Sequence, residues 1–286
     1  MKAHSLVALA TSIAAIFPAT SALAAQFDVE AASRAYLDLL PHAARERSDA
    51  YFEGGYWLLL WGTLAAMVAD AVILRLGLAR ALRDAARRGL SSRFAQDWLA
   101  ALGYLLAGAV LTLPWAAYAG FLRERDYGLI NQTFGQWLGE HAINMAISLG
   151  FMPLIAAALL ATMRRAPRFW WVWGAGIMTG VVGLMLFVSP VHVAPLFNTY
   201  TELPDGPVRD RIVAMASAHG VPAGHIHVYD ASRQTSRISA NVSGLGPTVR
   251  ISLNDNLLDR TSEAEIAAVM GHELGHYVMG HNWRLL

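Results

Sequence analysis

No cysteine occurs among the 286 residues. Disulfides and thiolate metal ligands are therefore excluded, and any metal must be held by His, Asp or Glu. The redox compartment stays open. A charge bias is missing too. Lys and Arg number 22 against 21 Asp and Glu, a formal net charge of +1. Such a balance gives no overall attraction to nucleic acid or to an acidic partner. Internal repeats and low-complexity segments are absent as well. What is abundant is apolar surface: 55% of residues are hydrophobic, with a mean hydropathy of +0.38. Soluble domains sit nearer 45–50% apolar, so the composition points to a membrane protein.

The N-terminus, MKAHSLVALATSIAAIFPATSALAAQ, has Lys2, then an apolar core from Leu6 to Phe17 too short to span a bilayer, then Ala22-Leu23-Ala24. This is the pattern of a cleaved signal peptide; the alternative is an uncleaved anchor from Leu6 to Ala25. Four longer apolar runs follow, Tyr56–Leu74, Trp98–Phe121, Ala142–Met163 and Phe169–Val188. Each approaches the ~20 residues that cross a hydrocarbon core. Trp57, Trp61, Trp98, Trp115, Trp170, Trp171 and Trp173 lie mostly near their ends, as interfacial anchors do. None shows the polar face of a soluble helix. Arg75, Arg80, Arg83, Arg87, Arg88 and Arg93 crowd the first connection, and Arg164, Arg165 and Arg168 the third. The second, Leu122–His141, sets Arg123 and Arg125 against Glu124, Asp126 and Glu140. The positive-inside rule puts the arginine-rich links in the cytoplasm. Residues 25–55 and everything after Pro190 then fall on the outer face.

After Pro190 the character changes. Pro207 suits the first turn of a helix reaching about His219. Ile226–Tyr229 reads as a strand. Ser239–Ser243 and Thr248–Leu253 alternate like a hairpin around Gly244-Leu245-Gly246-Pro247. Together these predict a short antiparallel sheet. Thr261 or Ser262, with Glu265 beyond, marks the start of a helix by its capping-box pattern. That helix carries His272-Glu273-Leu274-Gly275-His276. Residues four apart share a helix face, so two imidazoles can aim at one zinc ion. Glu273 is turned about 100° away and can reach a water on that ion as general base. This spacing is the metalloprotease signature. His281 lies nine residues past His272, which on a continuing helix is the opposite face. No strong helix stop follows it. His225 and His227, two apart on a strand, read as a surface pair more than as ligands. His42, His141, His192 and His219 read as structural or solvated. Asp70, inside the first span, is balanced between a functional and a solvated carboxylate.

Further segments add to the motif. Pro195-Leu196-Phe197-Asn198 with Thr201-Glu202-Leu203-Pro204, and Val228-Tyr229-Asp230-Ala231-Ser232-Arg233, are two. Ser239-Ala240-Asn241, Gly244-Leu245-Gly246 and Glu265–Val269 are others, as are Leu113-Pro114-Trp115 and Tyr127–Thr133. From about Ser48 onward the sequence resembles the membrane-embedded zinc metallopeptidases of the CAAX prenyl protease 1 type. The resemblance implies a zinc endopeptidase with His272 and His276 as ligands and Glu273 as base. It also implies a substrate peptide added as a strand along Ser239, Ala240, Asn241, Val242 and Ser243, held by main-chain hydrogen bonds.

Two departures accompany the likeness. Similar proteins take a third ligand from a glutamate beyond a further membrane hairpin, and the 286 residues contain neither. The expected reading is the front of a longer enzyme. Eukaryotic members face the cytosol, whereas the arginine pattern here points outward. That shifts the expected substrate from prenylated proteins to peptides or membrane proteins at the outer face of a bacterial inner membrane. Two rivals stand: a non-catalytic scaffold or inactive fragment lacking the third ligand, and an intramembrane protease. The second is disfavoured by Asp255, Asp259, Arg260, Glu263 and Glu265, which belong in water. The expected fold is mostly α: a multi-span helical bundle, then a partial α+β zincin-like domain. The divisions are 1–24 signal peptide, 25–55 outer-face segment, 56–189 four-helix transmembrane region and 190–286 partial zinc metallopeptidase domain. Expected partners are a peptide or protein substrate, one zinc ion and the lipid bilayer, and no nucleic acid.

Overall fold

The structure is a computed structural model describing residues 28–244 and 249–281. The expected signal peptide and the Leu245–Thr248 turn lie outside the described residues. The described residues fall into two compact units, divided between Leu59 and Leu60. In the first, α1 (Val29–Leu37) is capped by Asp28, whose carboxylate accepts from Ala31 N at 2.9 Å. The first span, α2 (His42–Arg75), begins within the expected outer-face segment and runs on into the second unit.

The other spans are α4 (Arg93–Ala117), α6 (Phe134–Arg165) and α7 (Trp170–Val188). With α2 they make four helices, among the described residues, long and apolar enough to cross a membrane. Composition explains them: every backbone polar group is satisfied inside the helix, as hydrocarbon requires. Large apolar side chains such as Val110 and Leu184 remain exposed on them, as lipid-facing residues do. A π-helical turn, Tyr118–Leu122, follows Pro114 and leads into the short α5 (Arg123–Asp126). Thr133 caps α6 through a capping box with Gln136.

Some elements were not expected, and one of them shapes the bundle. The arginine-rich link holds a helix of its own, α3 (Leu78–Gly89). Gly77, at φ 68°, supplies the left-handed turn between α2 and α3. Gly103 of α4 lets Leu82 approach so closely that a Cβ there would meet Leu82 Cδ2 at 2.5 Å.

Beyond the bundle stand β1 (Tyr200–Glu202), α8 (Pro207–Ala218), β2 (Ile226–Tyr229), β3 (Ala240–Ser243), β4 (Arg250–Asn254), α9 (Asp255–Arg260) and α10 (Glu263–Val278). The sheet order is β1-β2-β4-β3. The expected antiparallel sheet needs correction: β2 and β4 pair parallel, Ile226 opposite Ile251. The β3–β4 hairpin is antiparallel, Val242 opposite Ile251. Its returning strand slots between β3 and β2 and runs the same way as β2. Ile226, Ile251 and Leu253 pack with Ile212, Leu257 and Met270, each at most 1% exposed. The alternate residues Ser252 and Asn254 are also buried, at 1% each. The central strand β4 is thus covered on both faces.

Candidate metal centre and peptide edge

Helix α10 starts at Ser262, whose hydroxyl accepts from Glu265 N. The Glu265 carboxylate accepts in return from Ser262 N at 2.8 Å. That backbone donor holds the Glu265 carboxyl below its ordinary pKa. Ile266, Ala267, Met270 and Leu274 turn one side of the helix into the core. This leaves His272 and His276 exposed and Glu273 half-buried between them. The two imidazoles converge, with Nε2 atoms 2.9 Å apart and rings at 76°.

Zinc–nitrogen bonds of 2.0–2.1 Å at a tetrahedral angle would set such nitrogens about 3.3 Å apart. The rings need open by only a few tenths of an ångström, so the pair fits a zinc ion. Among the described residues no cluster of three His, Asp or Glu side chains is placed to hold a metal.

His281 is where helix reasoning fails. The helix ends at Val278, and Gly280, at φ 64°, turns the chain in the left-handed conformation of a helix stop. The stop thus precedes His281 rather than following it. His281 folds back so that its Nδ1 lies 2.7 Å from His276 Nδ1. It meets the nitrogen of His276 that points away from His272. The spacing Gly280-His281 carried this signal in the sequence.

The expected substrate strand lies at the sheet's edge. Ala240, Asn241, Val242 and Ser243 form β3, with β4 on one side and no strand on the other among the described residues. Helix α10 packs against β3. Ser239 falls just before the strand, and its N–H donates to Asn254 Oδ1 at 3.0 Å. A cavity of about 650 Å³ adjoins this edge. Asn241, Val242 and Ser243 line it with Arg250 and the methionines Met152 and Met178 of the bundle.

Sequence reasoning missed how this edge is held. Asn254, buried, accepts from Leu257 N at 2.9 Å and donates to Arg237 O at 2.7 Å. Asn256 donates to Thr235 O at 2.7 Å. The same loop docks on the α5–α6 connection. Ile130 and Thr235 form an antiparallel bridge. Asn131 Nδ2 donates to Ser232 O at 2.7 Å, and Gln234 Nε2 donates to Glu140 Oε1 at 2.9 Å. Arg233 pairs with Glu140 at 3.1 Å and Arg237 with Glu124 at 2.6 Å. The structure brings the segments Tyr127–Thr133 and Val228–Arg233, about a hundred residues apart, together.

The remaining histidines have other settings. His225 and His227 stack with ring centroids 6.1 Å apart, rather than converging. Burial pushes the His227 pKa down, with Arg250 and His225 adding to the effect and Glu202 opposing it. His42 sits 3.5 Å from Glu46. His141 stacks on Trp137 at 4.9 Å. His219 Nδ1 lies 2.9 Å from Met215 O at the end of α8. His192 lies in a second π-helical turn, Ser189–Val193. Asp70 accepts a hydrogen bond from Tyr104 OH at 2.6 Å, which gives it a partner inside the bundle.

Both parts of the chain are similar to known proteins. Residues 30–199 match the family described as CAAX prenyl protease N-terminal, five membrane helices, and residues 202–286 match peptidase family M48. The uncharacterized metalloprotease YhfN of Bacillus subtilis is 30% identical over 213 residues, 73% of this chain and 49% of its own. The CAAX prenyl protease 1 homolog of Arabidopsis thaliana is 31% identical over 180 residues, 63% of this chain and 42% of its own. The chain spans about half the length of these relatives. The crystal structure of S. mikatae Ste24p has the same fold, with a TM-score of 0.74 at 23% identity over 87% of this chain and 60% of that one.

Proposed function

The chain belongs to the membrane metallopeptidase family of CAAX prenyl protease 1, peptidase family M48, and from that premise we propose that it contributes the zinc-binding and base-bearing half of a metalloendopeptidase site. The observation that carries this reading is the convergence of His272 and His276 to 2.9 Å on a helix packed against an open strand edge. His272 and His276 would hold the ion, which when bound supplies a Lewis acid that acidifies water and polarises a peptide carbonyl. A catalytic zinc takes three protein ligands, and the third, by the family's pattern, is a glutamate to be sought outside the described residues.

Glu273 takes the proton of the attacking water and passes it to the leaving amine. His276 must keep its proton on Nδ1 to leave Nε2 free for the metal, so Nδ1–H donates to His281 Nδ1. His281 is a positioning residue. The substrate peptide lies along β3, exchanging main-chain hydrogen bonds with Ala240–Ser243.

The relatives named CAAX prenyl proteases are named for prenylated substrates. For this chain the proposed substrates are instead peptide segments of membrane or exported proteins. The α5–α6 connection docks on the peptidase part. The arginines cluster at the far end of α6, whose 32 residues span about 48 Å. With that end cytoplasmic, the peptidase part faces outward, the periplasm of a bacterial inner membrane.

The test is Glu273→Gln in the full-length protein, with zinc content and hydrolysis of an extended peptide measured together. The expected result is unchanged zinc and a rate lower by about 10²–10⁴-fold. Hydrolysis unchanged by the substitution would remove Glu273 as the base, and a parent protein that hydrolyses nothing would favour a scaffold. A reporter fused after Pro190 that is active only in the cytoplasm would overturn the orientation.

A further inference from the structure

At the arginine-rich end of the bundle, three helices close around a polar cavity of about 550 Å³. Arg83 and Arg87 come from α3, Arg93, Gln96 and Asp97 from α4, and Arg164 from α6. Four guanidinium groups thus face one carboxylate inside the cavity. That carboxylate is committed: Asp97 pairs with Arg164 at 2.5 Å. Arg83 has Asp84 beside it at 3.0 Å. Among the described residues no carboxylate pairs with Arg87 or Arg93. Counting Asp84 with the cavity, four positive charges meet two negative, and two remain in excess. Like charges held on packed helices repel one another, and an anion between them removes that cost.

The position identifies the anion's source. Helix α2 ends at Arg75, α4 begins at Arg93 and α6 ends at Arg165. The cavity therefore lies where the spans leave the hydrocarbon. Helix α3 is built to lie along that boundary. Leu78, Leu82 and Ala86 share one side, with Ala86 fully buried and Leu82 seated at Gly103. Arg80, Arg83, Arg87 and Arg88 take the other, so the helix packs on α4 and presents its charges at the end of the bundle. Down α4 from the cavity, Leu99 and Leu106 are 37% and 43% exposed and seven residues apart on one face. The helix thus offers apolar surface to the chains of an amphipathic anion held at its end. Guanidinium groups grip phosphate oxygens through paired N–H donors.

We propose that Arg83, Arg87 and Arg93 form a binding site for the phosphate headgroup of an anionic phospholipid, with its acyl chains lying on α4. The site is on the opposite end of the bundle from the zinc helix and does not rest on the peptidase reading.

The test is lipid binding to the full-length protein in detergent, read by native mass spectrometry. The probes are phosphatidylglycerol and phosphatidylcholine with identical chains, and inorganic phosphate alone. Phosphatidylglycerol is expected to be retained over phosphatidylcholine and not displaced by millimolar phosphate. Arg83→Gln with Arg87→Gln should weaken it by about 25-fold, near fivefold for each arginine. Arg93→Gln, on a different helix, should weaken it by about fivefold. Arg80→Gln with Arg88→Gln removes the same charge from the same helix outside the cavity and should change binding far less. Equal losses for the two pairs would overturn the proposal in favour of diffuse surface charge. So would equal retention of the two lipids, or displacement by free phosphate, which would mark an ion site only.

Discussion

The bundle and the sheet-bearing part of the second unit are held together by opposite means. In the bundle the spans keep many large side chains on their outsides, and contacts such as Leu82 on Gly103 rely on small residues allowing close approach. In the sheet-bearing part a few buried polar groups do specific tasks. Asn254 accepts from Ser239 N and Leu257 N and donates to Arg237 O, which Asn256 shares. Cohesion in the first is spread over many interchangeable apolar residues. In the second it is concentrated, and it is concentrated beside the strand that borders α10.

The contrast can be broken most directly at Asn254. Asn254→Leu strips partners from the N–H groups of Ser239 and Leu257, leaves Arg237 O to Asn256 at 3.1 Å, and should destabilise the sheet by about 2–5 kcal/mol. Leu106→Ala on the outside of α4 should cost under about 0.5 kcal/mol. Chemical unfolding of both variants beside the parent checks this, and equal losses would end the distinction. His281→Ala sharpens it at the site itself. Zinc affinity by chelator competition should fall by about 10–100-fold with the melting temperature of the metal-free protein unchanged. A drop in that melting temperature instead would make His281 a structural residue.

Smaller again is the pair joining the two regions. Arg237 is 47% exposed and Glu124 19%. A double-mutant cycle with alanine at both should give a coupling of about 0.5–1 kcal/mol. The least effect concerns acid. The pKa of His227 is lowered in the folded protein, so the unfolded chain takes up a proton first as pH falls. Stability from this residue is full above the unfolded value near 6.5 and is lost as pH drops through the folded one. His227→Gln should flatten the decline below about pH 6.5 in unfolding measured against pH. An unchanged slope would remove His227 from the account.

The same division governs what could be read in advance. The spans were legible because hydrocarbon imposes a length and a composition on each segment separately. The His272–His276 helix was legible because its periodicity and capping box are local. Helix α3 was passed over as an arginine-rich link, although Leu78, Leu82 and Ala86 keep helical spacing; the charges masked it. The short β1 and α9 were overlooked, and Asn254, which caps α9 through Leu257 N, was the available sign. The parallel pairing of β2 with β4 was not legible. It is set by where the β3 hairpin docks, and that depends on Asn254, Asn256 and the Tyr127–Thr133 loop, far apart in sequence. The position of His281 was not legible, because Gly280 stops the helix that its spacing from His272 would continue.

The docking of the α5–α6 connection on Thr235 closes a ring. The chain leaves that connection through α6, crosses by the Arg164–Arg168 link, returns through α7, and comes back by hydrogen bonds to the connection it left. A ring needs cutting twice to come apart. Proteolytic nicking at the link, or expression as two pieces split there, should therefore leave one complex, with β3 still clamped beside α10. That outcome would show that the contacts at Thr235, and not the continuity of the polypeptide through the Arg164–Arg168 link, hold the α5–α6 connection to the part that carries β3 and α10.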